Sequence, residues 1–184
     1  DIYEFLKERQ LLLSLHGQTK DAFSKMELAS WEYDIVSPAY KCNMTDITAA
    51  IGNVQLERYP ALCERRRQIV NRYHEKLIPA GVQVLDHETE DHCSSKHLYL
   101  TRVPGASLEK RNEMMIRMAE KGVATNVHYK PLAMMTAYQS LGFSMKDFPQ
   151  AYRMYENEIT LPLHTRLTDE EVDFIIETYL SCLN

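Results

Sequence analysis

YKCNMTDITAAIG, residues 40–52, sets a short loop of lysine, cysteine and amide directly before a run of small and apolar side chains. Thr45 has the hydroxyl of an N-cap, and Asp46 puts a carboxylate in the first turn, where the positive end of the helix dipole stabilises it. Ile47, Ala49, Ala50 and Ile51 then supply a closely packed helical body. The stretch predicts a helix preceded by a loop aimed at something outside it. Helical character continues from Asp46 to about Leu77, with Pro60 either kinking the helix or opening its second half. Val54, Leu62, Ile69, Val70, Tyr73 and Leu77 keep a helical period, so one face is expected to be buried.

Working outward toward the N-terminus, Ile2, Phe5, Leu6, Arg9 and Leu13 predict a first helix, after which residues 14–44 show no sustained period. A connection of about 30 residues inside a compact domain is usually functional or shared with a partner. The chain opens on Asp1 within a helical pattern, which reads as a piece of something longer. Toward the C-terminus strands and helices alternate. GVQVLD (81–86) and HLYLTRV (97–103) read as strands, and Ser107 opens a helix through Lys121 that stops at Gly122. VATNVHY (123–129) reads as a third strand and ITLPL (159–163) as a short fourth. Thr168, Asp169, Glu170 and Glu171 form a capping box for a last helix to about Leu183. The fold class is therefore α/β in the α+β sense: a small, mainly antiparallel sheet packed by helices and preceded by a long helical segment.

With 45% hydrophobic and 26% charged residues the chain has an ordinary globular balance, and its net charge of -5 gives no broad cationic surface for nucleic acid. The dense basic run Arg65-Arg66-Arg67 has Glu57, Glu64 and Glu75 nearby and reads as a solvated helix face. No apolar run approaches the roughly 20 residues of a membrane span. Cys42, Cys63, Cys93 and Cys182 are scattered without a C-x-x-C spacing, as expected of reduced thiols in the cytoplasm.

His87, His92, Cys93 and His97 crowd together, but their spacing follows no zinc pattern, and no metal site is expected. No G-x-S-x-G elbow places a hydrolytic nucleophile. VHYKPL, 127–132, is more informative: imidazole, phenol and ammonium stand side by side at a strand end before a proline, the sort of terminus where ligand sites form. His128 reads either as a satisfied core histidine or as a ligand contact, and Tyr129 either as a rim aromatic or as its neighbour in a pocket. The following AMMTAYQSLGF is amphipathic and Met-rich, more in keeping with core than with pocket.

Taken in order, YKCNMTDITAAIGNVQLERYPALCERRRQIVNRYHEKL, HLYLTRV, GVATNVHYKPL and ITLPLHTRLTDEEVDFII resemble the C-terminal part of the sugar-nucleotide aminotransferases of the DegT/DnrJ/StrS type. The resemblance runs from about Leu11 to Leu183. It implies a pyridoxal-phosphate enzyme of fold type I, a homodimer that moves an amino group from glutamate to a keto sugar on a nucleotide, for a surface polysaccharide or lipopolysaccharide. In that family the lysine that binds the cofactor lies in a large N-terminal domain, before Asp1 of this numbering. No catalytic residue is therefore assigned in the chain, which is expected to be inactive and without cofactor by itself.

The same resemblance divides the chain into residues 1–45, a remnant of the large cofactor domain with an interface loop, and residues 46–184, the small domain with its long linking helix. It implies that Lys41 and Asn43 reach the cofactor phosphate of the other subunit, one by charge and one by its amide. Cys42 stands where a tyrosine is usual, and Thr48 where a glutamine is common. His128 and Tyr129 would line the sugar-nucleotide pocket, with His16 near its entrance. A reading of another class is a non-catalytic dimerisation or interaction module that uses the apolar face of the 46–77 helix.

Overall fold

The computed structural model describes residues 2–17, 34–42 and 44–183. Two compact units divide the chain, one up to Glu57 and one from Arg58 onward.

In the first unit, helix α1 (Ile2–Ser14) meets the expected position. The chain after it turns through His16 and Gly17, both at positive φ (57° and 74°), and is held by backbone bonds to residues 34–42. Val36 N–H donates to Gly17 O, Tyr40 N–H to Leu13 O, and Cys42 N–H to Ser14 O. Leu15 and Lys41 form an antiparallel bridge. Gly17 is required here, because a Cβ on it would overlap the carbonyl oxygen of Ser37. Part of the 14–44 connection is thus ordered against the end of α1, while residues 18–33 lie outside the described ones. Helix α2 (Asp46–Leu77) starts in this unit as expected: Thr48 N–H donates to Thr45 Oγ1 at 3.3 Å, and Ala49 N–H to Thr45 O. Pro60 lies inside this one continuous helix.

The second unit carries the core. Strands β1 (Gln83–Val84), β2 (Tyr99–Arg102) and β3 (Glu158–Leu161) make an antiparallel sheet in that order. Between them run α3 (Leu108–Glu120), the short α4 (Thr136–Gln139) and α5 (Pro149–Tyr155), and α6 (Asp169–Leu183) closes the chain. Ile69, Val70, Tyr73 and Leu77 of α2, Met114 and Met118 of α3, and Val172, Ile175, Ile176 and Tyr179 of α6 recur at helical spacing and are buried together. They pack on one face of the sheet, that of Tyr99, Thr101, Ile159 and Leu161. Three buried hydroxyls are satisfied within this layer, Tyr179 donating to Thr101 Oγ1 at 3.0 Å, Thr101 to Ile159 O at 2.6 Å and Tyr73 to Pro162 O at 2.8 Å, whereas the buried Tyr99 hydroxyl has no partner among the described residues. Burial holds all three tyrosines at 73, 99 and 179 above the ordinary phenol range, Tyr179 at about 12.

Both caps predicted in this unit are present. Ser107 accepts from Lys110 N–H, and Thr168 and Glu171 cap each other reciprocally at 3.2 and 2.8 Å. Two expectations need correction. VATNVHY is not a strand: it makes one isolated bridge, Asn126 to Thr160, because Val127 N–H is taken by the Asn126 side chain and His128 N–H by the Glu158 carboxylate. Nor is Arg65-Arg66-Arg67 simply solvated. Arg65 donates to Leu167 O and pairs with Asp169 at 2.8 Å, and Arg66 donates to Ser95 O; only Arg67 stays on its own helix, with Glu64.

Candidate functional site

Strand alternation leaves Leu100, Arg102 and Glu158 on the sheet face away from the helical core, where they border a cleft of about 480 Å³. Val84 and Leu85 line one side, Met154 and Tyr155 of α5 another, and His128 and Tyr129 the rim. Arg102 and Glu158 are cross-strand partners. The Arg102 guanidinium donates to Asn157 Oδ1 at 3.0 Å and to Arg153 O at 3.1 Å, which fixes it across the strand ends. Beneath lies Arg111, 2% exposed, donating to Glu158 O at 3.1 Å with its cation 4.7 Å from the Tyr155 ring centre. The Glu158 carboxylate, in a residue only 4% exposed, is held instead by the His128 N–H and the Thr160 hydroxyl.

His128 is half-buried. Its Nδ1 lies 2.8 Å from Thr160 Oγ1 and its backbone N–H donates to Glu158 Oε2 at 2.9 Å. The Tyr129 ring stands edge-on to it at 4.6 Å and is 73% exposed. One edge of the His128 ring is thus satisfied inward, while the residue also borders the cleft. Lower in the chain, Pro131, Leu132, Ala133, Tyr138, Phe143 and Phe148 surround a second, apolar hollow of about 340 Å³. The Met-rich stretch thus lines a pocket besides contributing Ala133 to the interior.

The other candidates belong to the first unit. His16 and Lys41, distant in sequence, come together: His16 N–H donates to Tyr40 O at 2.8 Å and Leu15 bridges to Lys41. Both side chains are exposed. Asn43 lies outside the described residues. Of the crowded imidazoles, His87 Nδ1 meets Ser94 Oγ at 2.8 Å and His92 Nδ1 meets Thr89 Oγ1 at 2.7 Å.

Sequence reasoning missed Glu158, Thr160, Asn126 and Arg102. The signal was available in Glu158-Ile159-Thr160-Leu161, where apolar residues alternate with a carboxylate and a hydroxyl. Starting the strand at Ile159 hid that alternation.

Imidazole, phenol, carboxylate and guanidinium thus stand together at the edge of a cleft on one strand face, the kind of concave setting in which small-molecule sites form. Residues 4–179 match the DegT/DnrJ/EryC1/StrS aminotransferase family, and the chain belongs to that family. It is 34% identical over 180 residues to the spore coat polysaccharide biosynthesis protein SpsC of Bacillus subtilis, with 95% of this chain and 46% of that protein covered. Among solved structures it is similar to the putative sugar aminotransferase Spr1654 from Streptococcus pneumoniae in its PMP form, at 60% identity and a TM-score of 0.81. That match covers 100% of this chain and 46% of the other. It is also similar to PseC of Helicobacter pylori, an aminotransferase involved in the biosynthesis of pseudoaminic acid, at 25% identity, a TM-score of 0.73 and 97% and 46% coverage. The chain thus spans just under half the length of the relatives it matches.

Spr1654 has been solved in PLP form as well. Lys41, expected to meet such a cofactor's phosphate, has an exposed side chain. The one buried lysine among the described residues, Lys96, is ion-paired to Glu88 at 2.5 Å. Burial works against its charge, yet the Glu88 hydrogen bond and charge outweigh burial and hold Lys96 above the ordinary lysine range. A cation held in that way is not a nucleophilic amine.

Proposed function

We propose that the chain forms the small-domain part of a pyridoxal-phosphate aminotransferase that moves an amino group from glutamate to a nucleotide-linked keto sugar. The pathway is the making of a surface polysaccharide or lipopolysaccharide, in the cytoplasm. The observation that carries the reading is the cleft on the open sheet face, with His128 and Tyr129 at its rim, in a chain of this family. Bound pyridoxal phosphate supplies the electron sink for exchange of the amino group. The chain's own residues bind and orient: His128 and Tyr129 face the sugar nucleotide, and His16 stands at the entrance. Lys41 and Asn43 reach the cofactor phosphate of a partner subunit in a homodimer. Residues 1–45 then belong with the large domain and residues 46–184 form the small one.

The test is the glutamate half-reaction, which does not depend on knowing the sugar. The full gene product, loaded with pyridoxal phosphate, is expected to convert to its pyridoxamine form with glutamate, seen as a change in cofactor absorbance. The 184-residue chain alone should show no such conversion. A full gene product that binds the cofactor but never converts would sink the reading.

A second reading has its own support. Ile47, Ile51 and Val54 lie along one side of α2 at 77%, 60% and 53% exposure, which favours a dimerisation role for that helix whether or not the chain takes part in chemistry. Sedimentation of the 184-residue chain by itself tests it: a dimer formed without the large domain supports the second reading, and a monomer counts against it.

A further inference from the structure

Around His128 the hydrogen bonds interlock and leave one arrangement of protons. Val127 N–H donates to Asn126 Oδ1 at 2.8 Å, so the amide's NH2 end is the one 3.5 Å from His128 Nε2. An NH2 group has only protons to offer, which makes Nε2 an acceptor. On the other side of the ring, the carboxylate of Glu158 accepts twice: Oε2 from His128 N–H at 2.9 Å, and Oε1 from the Thr160 hydroxyl at 2.5 Å. That contact takes the threonine's single proton. Thr160 Oγ1 can then only accept from His128 Nδ1 at 2.8 Å, and Nδ1 carries the hydrogen. Two sets of contacts on opposite edges of the imidazole agree. Glu158 and Thr160 are each only 4% exposed, so water does not compete for these bonds.

We propose that Glu158 and Thr160 are positioning residues that hold His128 as the Nδ1–H tautomer, with Nε2 a lone-pair acceptor whose long 3.5 Å contact to the Asn126 amide is replaced by a hydroxyl of the bound sugar. The hydroxyl assignment rests on the reading of His128 as part of the sugar-nucleotide cleft; the tautomer does not. The consequence is one of specificity. A sugar hydroxyl has a proton to donate to Nε2, whereas a diphosphate oxygen at neutral pH has none, so the nucleotide's phosphates must bind elsewhere.

The tautomer is read directly by nitrogen NMR on the chain with labelled histidine, the His128 signals being identified by their loss in His128→Gln. Wild type is expected to show a pyrrole-type Nδ1 and a pyridine-type Nε2. Thr160→Ser keeps the hydroxyl and should keep the pattern. Thr160→Val removes the acceptor and should let the two tautomers mix. Glu158→Gln should invert the pattern: its amide oxygen is needed by His128 N–H, so its NH2 faces Thr160, the hydroxyl turns to Nδ1, and the ring proton moves to Nε2. A pyrrole-type Nε2 in wild type overturns the proposal, and so does a pattern unmoved in both Thr160→Val and Glu158→Gln. Should either variant fail to fold, wild type and Thr160→Ser still decide it.

Adding a nucleoside-diphosphate sugar is expected to shift the Nε2 signal, and a symmetrical dialkyl diphosphate, which like the nucleotide's diphosphate carries no proton at neutral pH, to leave it in place. A shift with the dialkyl diphosphate alone overturns the hydroxyl assignment while the tautomer stands. Neither result touches the glutamate half-reaction, which tests the proposed activity separately.

Discussion

From Arg58 to Leu183 one buried cluster draws side chains from three helices and two strands, with Val84 of β1 packed against it, whereas among the described residues before Arg58 only Gly17 is buried. The first unit is shaped by backbone hydrogen bonds about a single glycine, and its large apolar side chains face outward: Ile2, Phe5 and Leu11 of α1 are 78%, 60% and 62% exposed. The second unit buries its apolar faces against itself. The difference teaches where stability resides and where a partner surface is needed, since burial of side chains dominates folding free energy and exposed apolar faces contribute only once covered.

The largest expected effect follows from that contrast. Leu77→Ala empties a fully buried position and should cost about 2–5 kcal/mol of unfolding free energy, read from urea denaturation. Ile47→Ala, on the same helix but 77% exposed, should change it by less than about 0.5 kcal/mol. Equal losses at the two positions would break the comparison.

Next in size is Gly17→Ala. The residue stands at φ 74° with the Ser37 carbonyl against its missing Cβ, and a non-glycine residue so placed costs on the order of 1–3 kcal/mol. The effect should stay local. Amide exchange at Val36, Tyr40 and Cys42, whose N–H groups bond back to residues 13–17, is expected to accelerate, while core amides such as that of Ile176 keep their protection. Loss of protection in both places would show that the units are not separately held.

How much of this was legible in the sequence depends on which interaction sets each feature. Helix ends were readable because caps are local: Thr45, Ser107 and the Thr168–Glu171 box are bonded within three residues of themselves. The core face of α2 was readable from its period over Ile69, Val70, Tyr73 and Leu77, but Val54, expected on the same buried face, is 53% exposed. The 123–129 segment was misread because its apolar-rich pattern is that of a strand, while its backbone donors are taken by side chains, one of them Glu158 from 30 residues away. The same distance concealed the site. VHYKPL pointed to His128 and Tyr129, but the partners that define the imidazole lie on β3, and no local spacing connects them.

A cap contributes less than a core residue. Thr168→Ala removes the hydroxyl that accepts from Glu171 N–H and should cost about 1 kcal/mol, seen as a small fall in Tm. The loss belongs to the second unit alone, so the exchange of the Val36 and Tyr40 amides should not follow it.

The smallest effect is expected from pH, and again only in the second unit. Burial disfavours the charged form of His74 and of His87, where the charges of His74 and Lys96 add to it; Asp86 opposes the shift at both, and Glu88 at His87. Both imidazoles are thus held below their ordinary value, and unfolding returns them to about 6.5. Where the unfolded chain binds more protons than the folded one, stability rises with pH. The contribution is therefore complete above about pH 6.5 and is lost as pH falls through the depressed folded values. Carboxylates held low by partners, Glu88 by Lys96 and Asp173 by Arg72, lose their contribution only in the more acid range below about pH 4.5, so the two steps are separable. The urea midpoint is expected to fall between about pH 7.5 and about pH 5.5, and the double variant His74→Gln/His87→Gln to flatten that slope. A slope that persists in the double variant would assign the pH dependence to other groups.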